Sequence, residues 1–170
     1  MKAVFISVVL ISLFGCSSMN DALTPSVKVS QDQFDGRTLI YQAPVSASSG
    51  LSEGWHVMGF DWNSNYPSTV YITVGRNGIV NIDGVEFNVD GKFLTNIDKV
   101  SVLTDYSDWS SRRFKVSLAD FQLIANSKDT KMKVQTINSY TVSSFGTSNS
   151  GAVVNNKFQP FLQEIENAIR

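Results

Sequence analysis

Apolar and polar residues alternate with a period of two through much of the chain after residue 25, and that period predicts strand after strand. Residues 26–30 place Val27 and Val29 on one side, and 37–42 form a β-branched and aromatic run. Residues 69–74 set Val70, Ile72 and Val74 opposite Tyr71 and Thr73, the pattern of a half-buried strand. Residues 55–63 are apolar on both faces, which puts them at the centre of a sheet. Residues 85–89 and 92–96 flank Asp90-Gly91, a dipeptide that accepts the positive φ angles of a tight hairpin. Further strands are predicted at 100–103, 113–116, 131–136 and 140–144.

The period changes to that of a helix in two places. Ser117 is followed three residues later by Asp120, close to a capping box, and Leu118, Phe121, Leu123 and Ile124 supply an apolar face for a short helix ending near Ser127. At the C-terminus Val154, Phe158, Phe161, Leu162, Ile165 and Ile169 share one face, while Gln163, Glu164 and Glu166 point away. Pro160 is tolerated in a first turn, so Asn156 is the expected N-cap and Lys157 the expected start. The outer face carries too few cations to suit anionic headgroups, so this helix is expected to pack on the sheet. Together these elements predict a mainly β, α+β domain over residues 26–170. Its architecture is an antiparallel β-sandwich or curled sheet with one short internal helix and one C-terminal amphipathic helix.

The first residues follow neither period. Lys2 precedes an apolar stretch over residues 3–14 broken only by Ser7 and Ser12. That stretch is short of the ~20 residues needed to span a bilayer and has the form of a signal peptide's apolar core. It ends at Leu13-Phe14-Gly15-Cys16, and Cys16 is the one cysteine of the chain. An ordinary signal peptide cut at a small residue such as Gly15 would also fit these residues. The four-residue sequence resembles the lipobox of bacterial lipoproteins. The resemblance implies removal of residues 1–15, a diacylglyceryl thioether on Cys16 and an acylated new N-terminus. More than one acyl chain makes such an anchor long-lived. Ser17, rather than Asp, follows the cysteine, which in Gram-negative lipoproteins implies the outer membrane, with the body facing the periplasm. Residues 16–25 are polar and aperiodic, as a tether would be.

Charge narrows the partners. The chain has 14 basic and 15 acidic residues with no Lys/Arg block, which excludes a phosphate-binding face and hence nucleic acid. With Cys16 acylated no thiol remains for a disulfide or a redox motif, so the 42% hydrophobic content must hold the domain through its core.

Candidate chemistry is sparse. Gly50-Leu51-Ser52-Glu53-Gly54 matches the G-x-S-x-G elbow of α/β-hydrolases, with His56 nearby, but a polar loop precedes it and a strand follows, where an elbow requires a strand and then a helix. His56 is the single histidine, so no histidine cluster can bind metal, and it is expected either on the surface opposite Trp55 or buried and hydrogen-bonded. Glu86, Asn88, Asp90 and Gly91 imitate the start of a calcium loop, yet Ile97 stands where the bidentate Glu belongs, and strand alternation explains the spacing. No metal and no cofactor is therefore expected. The loop 105–112 remains: Tyr106, Asp108, Trp109 and Arg112 form the candidate surface for a protein partner or a glycan, since Trp, Tyr and Arg dominate binding hot spots. Trp62, Asn63, Asn65 and Tyr66 form a weaker one.

The body also resembles small envelope lipoproteins, through an F-x-V-S strand at residues 114–117 and an F-L-x-x-I helix at 161–165. The expected function is a membrane-anchored, non-enzymatic binding or assembly module. A small cell-wall hydrolase and a purely structural lipoprotein are the alternatives.

Overall fold

Alternation sorts the body into strands that face two ways, and in the computed structural model they assemble as two antiparallel sheets. The structure describes residues 24–50, Ser52 and 54–170. Cys16, the segment 1–15 and the tether as far as residue 23 lie outside the described residues, as do Leu51 and Glu53. The elements are β1 (Lys28–Gln31), β2 (Thr38–Ser46), β3 (His56–Asn63), β4 (Thr69–Arg76), β5 (Ile82–Val89), β6 (Lys92–Phe93), β7 (Asp98–Lys99), β8 (Asp105–Tyr106), β9 (Ser110–Ser117), α1 (Leu118–Ala125), β10 (Thr130–Thr136), β11 (Tyr140–Phe145) and α2 (Asn155–Ile169). The larger sheet runs β1-β2-β3-β4-β9-β7, with β8 also on β9; the smaller runs β11-β10-β5-β6. The expected mainly β sandwich with two helices is what forms.

β3 occupies the centre of the larger sheet, between β2 and β4, as its apolar faces predicted. On β4 Val70, Ile72 and Val74 are buried and Tyr71 and Thr73 face outward. Asp90 and Gly91 adopt φ angles of 50° and 87°, the two positive values a tight hairpin between β5 and β6 requires. The Asp90 carboxylate accepts from the backbone N–H groups of Lys128 (3.0 Å) and Asp129 (2.8 Å). Glu86 meets Lys133 and Gln135 across the sheet. The calcium-like spacing is thus strand alternation, with its carboxylates engaged by the fold.

Three expectations are corrected. Residues 100–103 do not form a strand; pairing covers Asp98–Lys99 and the chain then leaves the ladder. The cause is Arg112, whose guanidinium draws the Ser101 and Val102 carbonyls inward at 2.9 and 2.7 Å. The second arm of the β5–β6 hairpin is two residues long, not five. Finally, α2 starts at Asn155 rather than Lys157, behind the helical Val154, and Pro160 lies past its first turn. Asn155 is no cap but a staple for the preceding loop: its amide accepts from the Gly146 N–H (2.8 Å) and donates to the carbonyls of Gly146 and Asn149 (3.1 and 2.9 Å).

β2 passes through Pro44 by means of a bulge between Gln42 and Val45, which removes the proline from the hydrogen-bond ladder. Gly59 on β3 makes room for it, since a Cβ there would lie 2.9 Å from the Gln42 oxygen and the Pro44 nitrogen. α1 begins as expected, with Ser117 accepting from the Asp120 N–H at 3.0 Å.

The core closes on a phenylalanine cluster. Phe158 of α2 stacks on Phe60 of the larger sheet at 5.0 Å and lies 5.9 Å from Phe145 of the smaller, while Phe121 of α1 packs against Phe60 and Phe161 at 5.0 and 5.5 Å. The helices thus join the two sheets. β3, β5, β9 and β11 begin at one end of the sandwich, where β2, β4 and β10 finish; this end is called the top. The His56 Nε2 atom and the Thr141 hydroxyl, 2.8 Å apart, link the two sheets there.

Candidate functional site

Two adjacent residues at the top of β3 point in opposite directions because a strand alternates. Gly54, at φ 80°, turns the chain into β3, so that Trp55 projects outward, 60% exposed, and His56 turns inward, 1% exposed. Beside β3 the outer face of the sheet carries small residues: Val57 pairs with Gly75, and Gly75 with Ser111. The missing side chain at Gly75 leaves a depression, which a Cβ would fill at 2.7 Å from Val57 Cγ2. Trp109, just before β9, closes the far side. The result is a groove of about 660 Å³ with an indole on either flank, Val57, Thr73 and Ser111 in its floor and the segment 46–50 as its wall.

The wall is fixed by the fold. Ala47 N–H donates to the His56 carbonyl (2.9 Å), Ser49 N–H to the Ser144 carbonyl (3.1 Å) and Val154 N–H to the Ser46 carbonyl (2.9 Å). Gly151 presses on Ser49, so close that a Cβ would stand 2.5 Å from the Ser49 oxygen.

Of the sequence-predicted site residues, Trp109 lies in the groove; Tyr106 and Asp108 are exposed beside it, on β8 and the turn that follows. Arg112 does not join them. It faces the interior, buried, and donates to the carbonyls of Ile82 (2.7 Å), Ser101 and Val102. Trp62 is likewise a core residue, its indole N–H donating to the Pro67 carbonyl at 3.1 Å, which removes it from the weaker candidate loop. Trp55 was not singled out as a site residue; the signal available was an exposed-face aromatic following a glycine at a strand start, and it becomes meaningful only because Trp109 lies across from it.

Serine and histidine chemistry resolves into structure. Ser52 of the G-x-S-x-G match is exposed, and a strand rather than a helix follows it. The serine that meets His56 is Ser48, at 3.4 Å from Nδ1. Its hydroxyl donates to the Gly54 carbonyl at 2.8 Å and accepts from the His56 backbone N–H at 3.3 Å, so the proton a nucleophile would surrender to the imidazole is directed at a peptide carbonyl. His56 is the expected buried, hydrogen-bonded histidine. No group of three or more His, Cys, Asp or Glu that could hold a metal occurs among the described residues. Among them, too, no helix is long and apolar enough to cross a membrane.

A charged cluster borders the groove on the same face. Asp61 pairs with Arg113, whose guanidinium lies 4.2 Å from the centre of the Tyr71 ring. Burial pushes the Asp61 carboxyl above its ordinary value of 3.8, outweighing the pull of Arg113. The folded state then binds this proton more tightly than the unfolded chain does. The carboxyl's contribution to stability is therefore greatest below 3.8 and is lost as pH rises through the raised native value. Asp61→Asn is accordingly expected to compare better with the parent at pH 7 than at pH 3.5 in urea unfolding. A difference that stays constant or shrinks with pH would mean that the ion pair governs instead.

Comparison of the chain with protein-family models, with curated proteins and with solved structures finds no match.

Proposed function

We propose that the chain is a bacterial envelope lipoprotein, anchored in the outer membrane through Cys16, whose body is a non-enzymatic binding module working through the groove between Trp55 and Trp109. The observation that carries this reading is the groove itself: two indoles and small hydroxyl-bearing residues line it, no charged side chain is among the described lining residues, and the Asp61–Arg113 pair stands at its border with Asp108 exposed beside it. An indole offers a flat apolar face with a polar edge, and hydroxyls such as those of Thr73, Ser107 and Ser111 hydrogen-bond without demanding charge. The ligand that suits both is uncharged and polar with an apolar face, the chemistry of a glycan chain. The hydrolase reading is weakened by the Ser48 hydroxyl, committed to the Gly54 carbonyl.

Titration of the full chain with chitohexaose, a neutral N-acetylglucosamine hexamer, tests the groove through its tryptophan emission. Saturable quenching is expected, and loss of one stacked indole, about 1.5–3 kcal/mol, weakens binding by roughly tenfold or more in Trp109→Ala. No response to the hexamer, with envelope crosslinks in intact cells unchanged by Trp109→Ala, would remove the groove from the function. The anchor is tested separately: Cys16→Ser is expected to move the protein from the membrane to the soluble fraction and to abolish the lipid mass. A variant that stays in the membrane with unchanged mature mass would refute lipidation.

A further inference from the structure

Three loops toward the top of the sandwich, 77–81, 101–104 and 137–139, contain no charged residue. Each carries an exposed aliphatic side chain: Ile79 is 91% exposed, Val102 88%, Leu103 77% and Ile137 72%. Trp55 and Tyr106 stand exposed at the same end. The charged groups toward that end, among the described residues, include Arg76 at the end of β4, the Asp83–Lys99 ion pair, and Asp105 and Asp108 around β8. The opposite end exposes aromatics instead, Phe34, Tyr66 and Phe93, among Asp32, Asp35, Arg37, Asp90, Lys92, Lys128 and Asp129. Pressing that end against hydrocarbon would desolvate more charges than pressing the top.

The chain's own direction selects the same end. β1 runs away from the top, with Lys28 opposite Tyr41, and upstream of it the Pro25 carbonyl accepts from the Gln42 side chain at 3.2 Å. The described chain therefore enters the fold from the top side. Cys16 is eight residues before Thr24, a reach of at most about 29 Å. Pro25 lies against Gln42, in the middle of β2, so both ends fall within that reach, but a tether to the far end has to double back along the sheet while one to the top continues in the chain's direction.

We infer that the top of the sandwich docks on the bilayer that holds the Cys16 lipid, with Ile79, Val102, Leu103 and Ile137 entering the boundary between headgroups and acyl chains and Trp55 and Tyr106 at headgroup level. This rests on the anchor reading above. Aromatic rings collect at that level because one edge is apolar and the other wet. With carboxylates outnumbering cations around Ile79, Val102, Leu103 and Ile137, attraction is apolar rather than electrostatic, so docking occurs on zwitterionic lipid and survives salt. The groove then opens beside the membrane surface, and its ligand is one presented there.

The test uses the full-length mature protein, its lipid mass verified, in phosphatidylcholine vesicles with and without bromine on the upper acyl chain. Bromine is expected to quench at least a third of the tryptophan emission, equally in 0.05 and 0.5 M salt. The triple variant Ile79→Asp, Leu103→Asp, Ile137→Asp should lose at least threefold of that quenching with its lipid mass and far-UV circular dichroism unchanged. Phe34→Asp, at the other end, should lose none. Lipidated protein whose emission bromine leaves untouched overturns the docking and leaves the anchor standing, as does quenching confined to anionic vesicles at low salt. Protein that lacks the lipid mass overturns the anchor reading and this inference with it.

Discussion

Arg112→Ala is expected to lower the stability of the domain by about 3–5 kcal/mol, because one side chain satisfies the carbonyls of three residues that have left the sheet. The guanidinium is a fork: Nη1 reaches the Ile82 oxygen at 2.7 Å, while Nη2 holds Ser101 and Val102 at 2.9 and 2.7 Å. Alanine removes the donors and leaves acceptors short of partners at the crossover between the sheets, where Thr104 also accepts from the Ile82 N–H. Arg112→Lys keeps the charge and loses the fork, so it should recover less than half of the deficit in urea unfolding. A role in ligand recognition predicts the reverse: an unfolding midpoint left in place and a binding defect. That outcome would return Arg112 to the binding surface.

Phe158→Ala should cost about 3–5 kcal/mol, the range for deleting a fully buried aromatic from a core that relaxes only in part. Its ring stands between Phe60 on one sheet and Phe145 on the other, and 5.7 Å from Phe121 of α1, so its loss opens a void that touches both sheets and both helices. Unfolding is therefore expected to remain a single transition at a lower midpoint, whether followed by near- or far-UV circular dichroism. On the neighbouring helix Leu123, half exposed, sets the comparison: Leu123→Ala should change stability by no more than about 0.5 kcal/mol. Similar losses for the two variants would mean that the phenylalanine cluster does not join the sheets energetically.

These two residues mark where reading the chain succeeds and where it stops. Phe158 was legible as a core position from helical spacing alone, because Val154, Phe161, Leu162 and Ile165 repeat on its face and become buried with it. Ile169 continues the spacing but is half exposed, since the helix ends there. Arg112 was misplaced among the binding residues for a physical reason. It shares the inward face of β9 with Phe114 and Val116, but a strand read as residues 113–116 leaves it in the polar loop before; pairing with β4 extends the strand to Ser110 and turns Arg112 inward and Arg113 outward. The same guanidinium explains why the apolar residues 100–103 fail to be a strand: their carbonyls bond a side chain instead of a neighbouring strand.

The candidate site divides in the same way. Trp109 was readable as a binding residue because an indole in a polar loop is unusual. Its partner Trp55 is 54 residues earlier in the chain and was absorbed into a strand that looked apolar on both faces. Nothing local marks the pair. Likewise the match around Ser52 drew attention to the wrong serine, while Ser48, outside any motif, is the one brought against His56.

The order of residues along the chain was enough for the class of fold, the Asp90-Gly91 hairpin and the two helices, and for the expectations that nucleic acid is no partner and that Cys16 carries a lipid, since each rests on a period, a turn chemistry or a charge count within a short window. Tertiary structure alone decided that Arg112 belongs to the interior, that Trp55 and Trp109 line one groove, and that the exposed Ile79, Val102, Leu103 and Ile137 lie toward one end of the sandwich. Each of these depends on which strands become neighbours and in what register. Register is set by burial summed over the whole core, a quantity no short stretch of sequence contains.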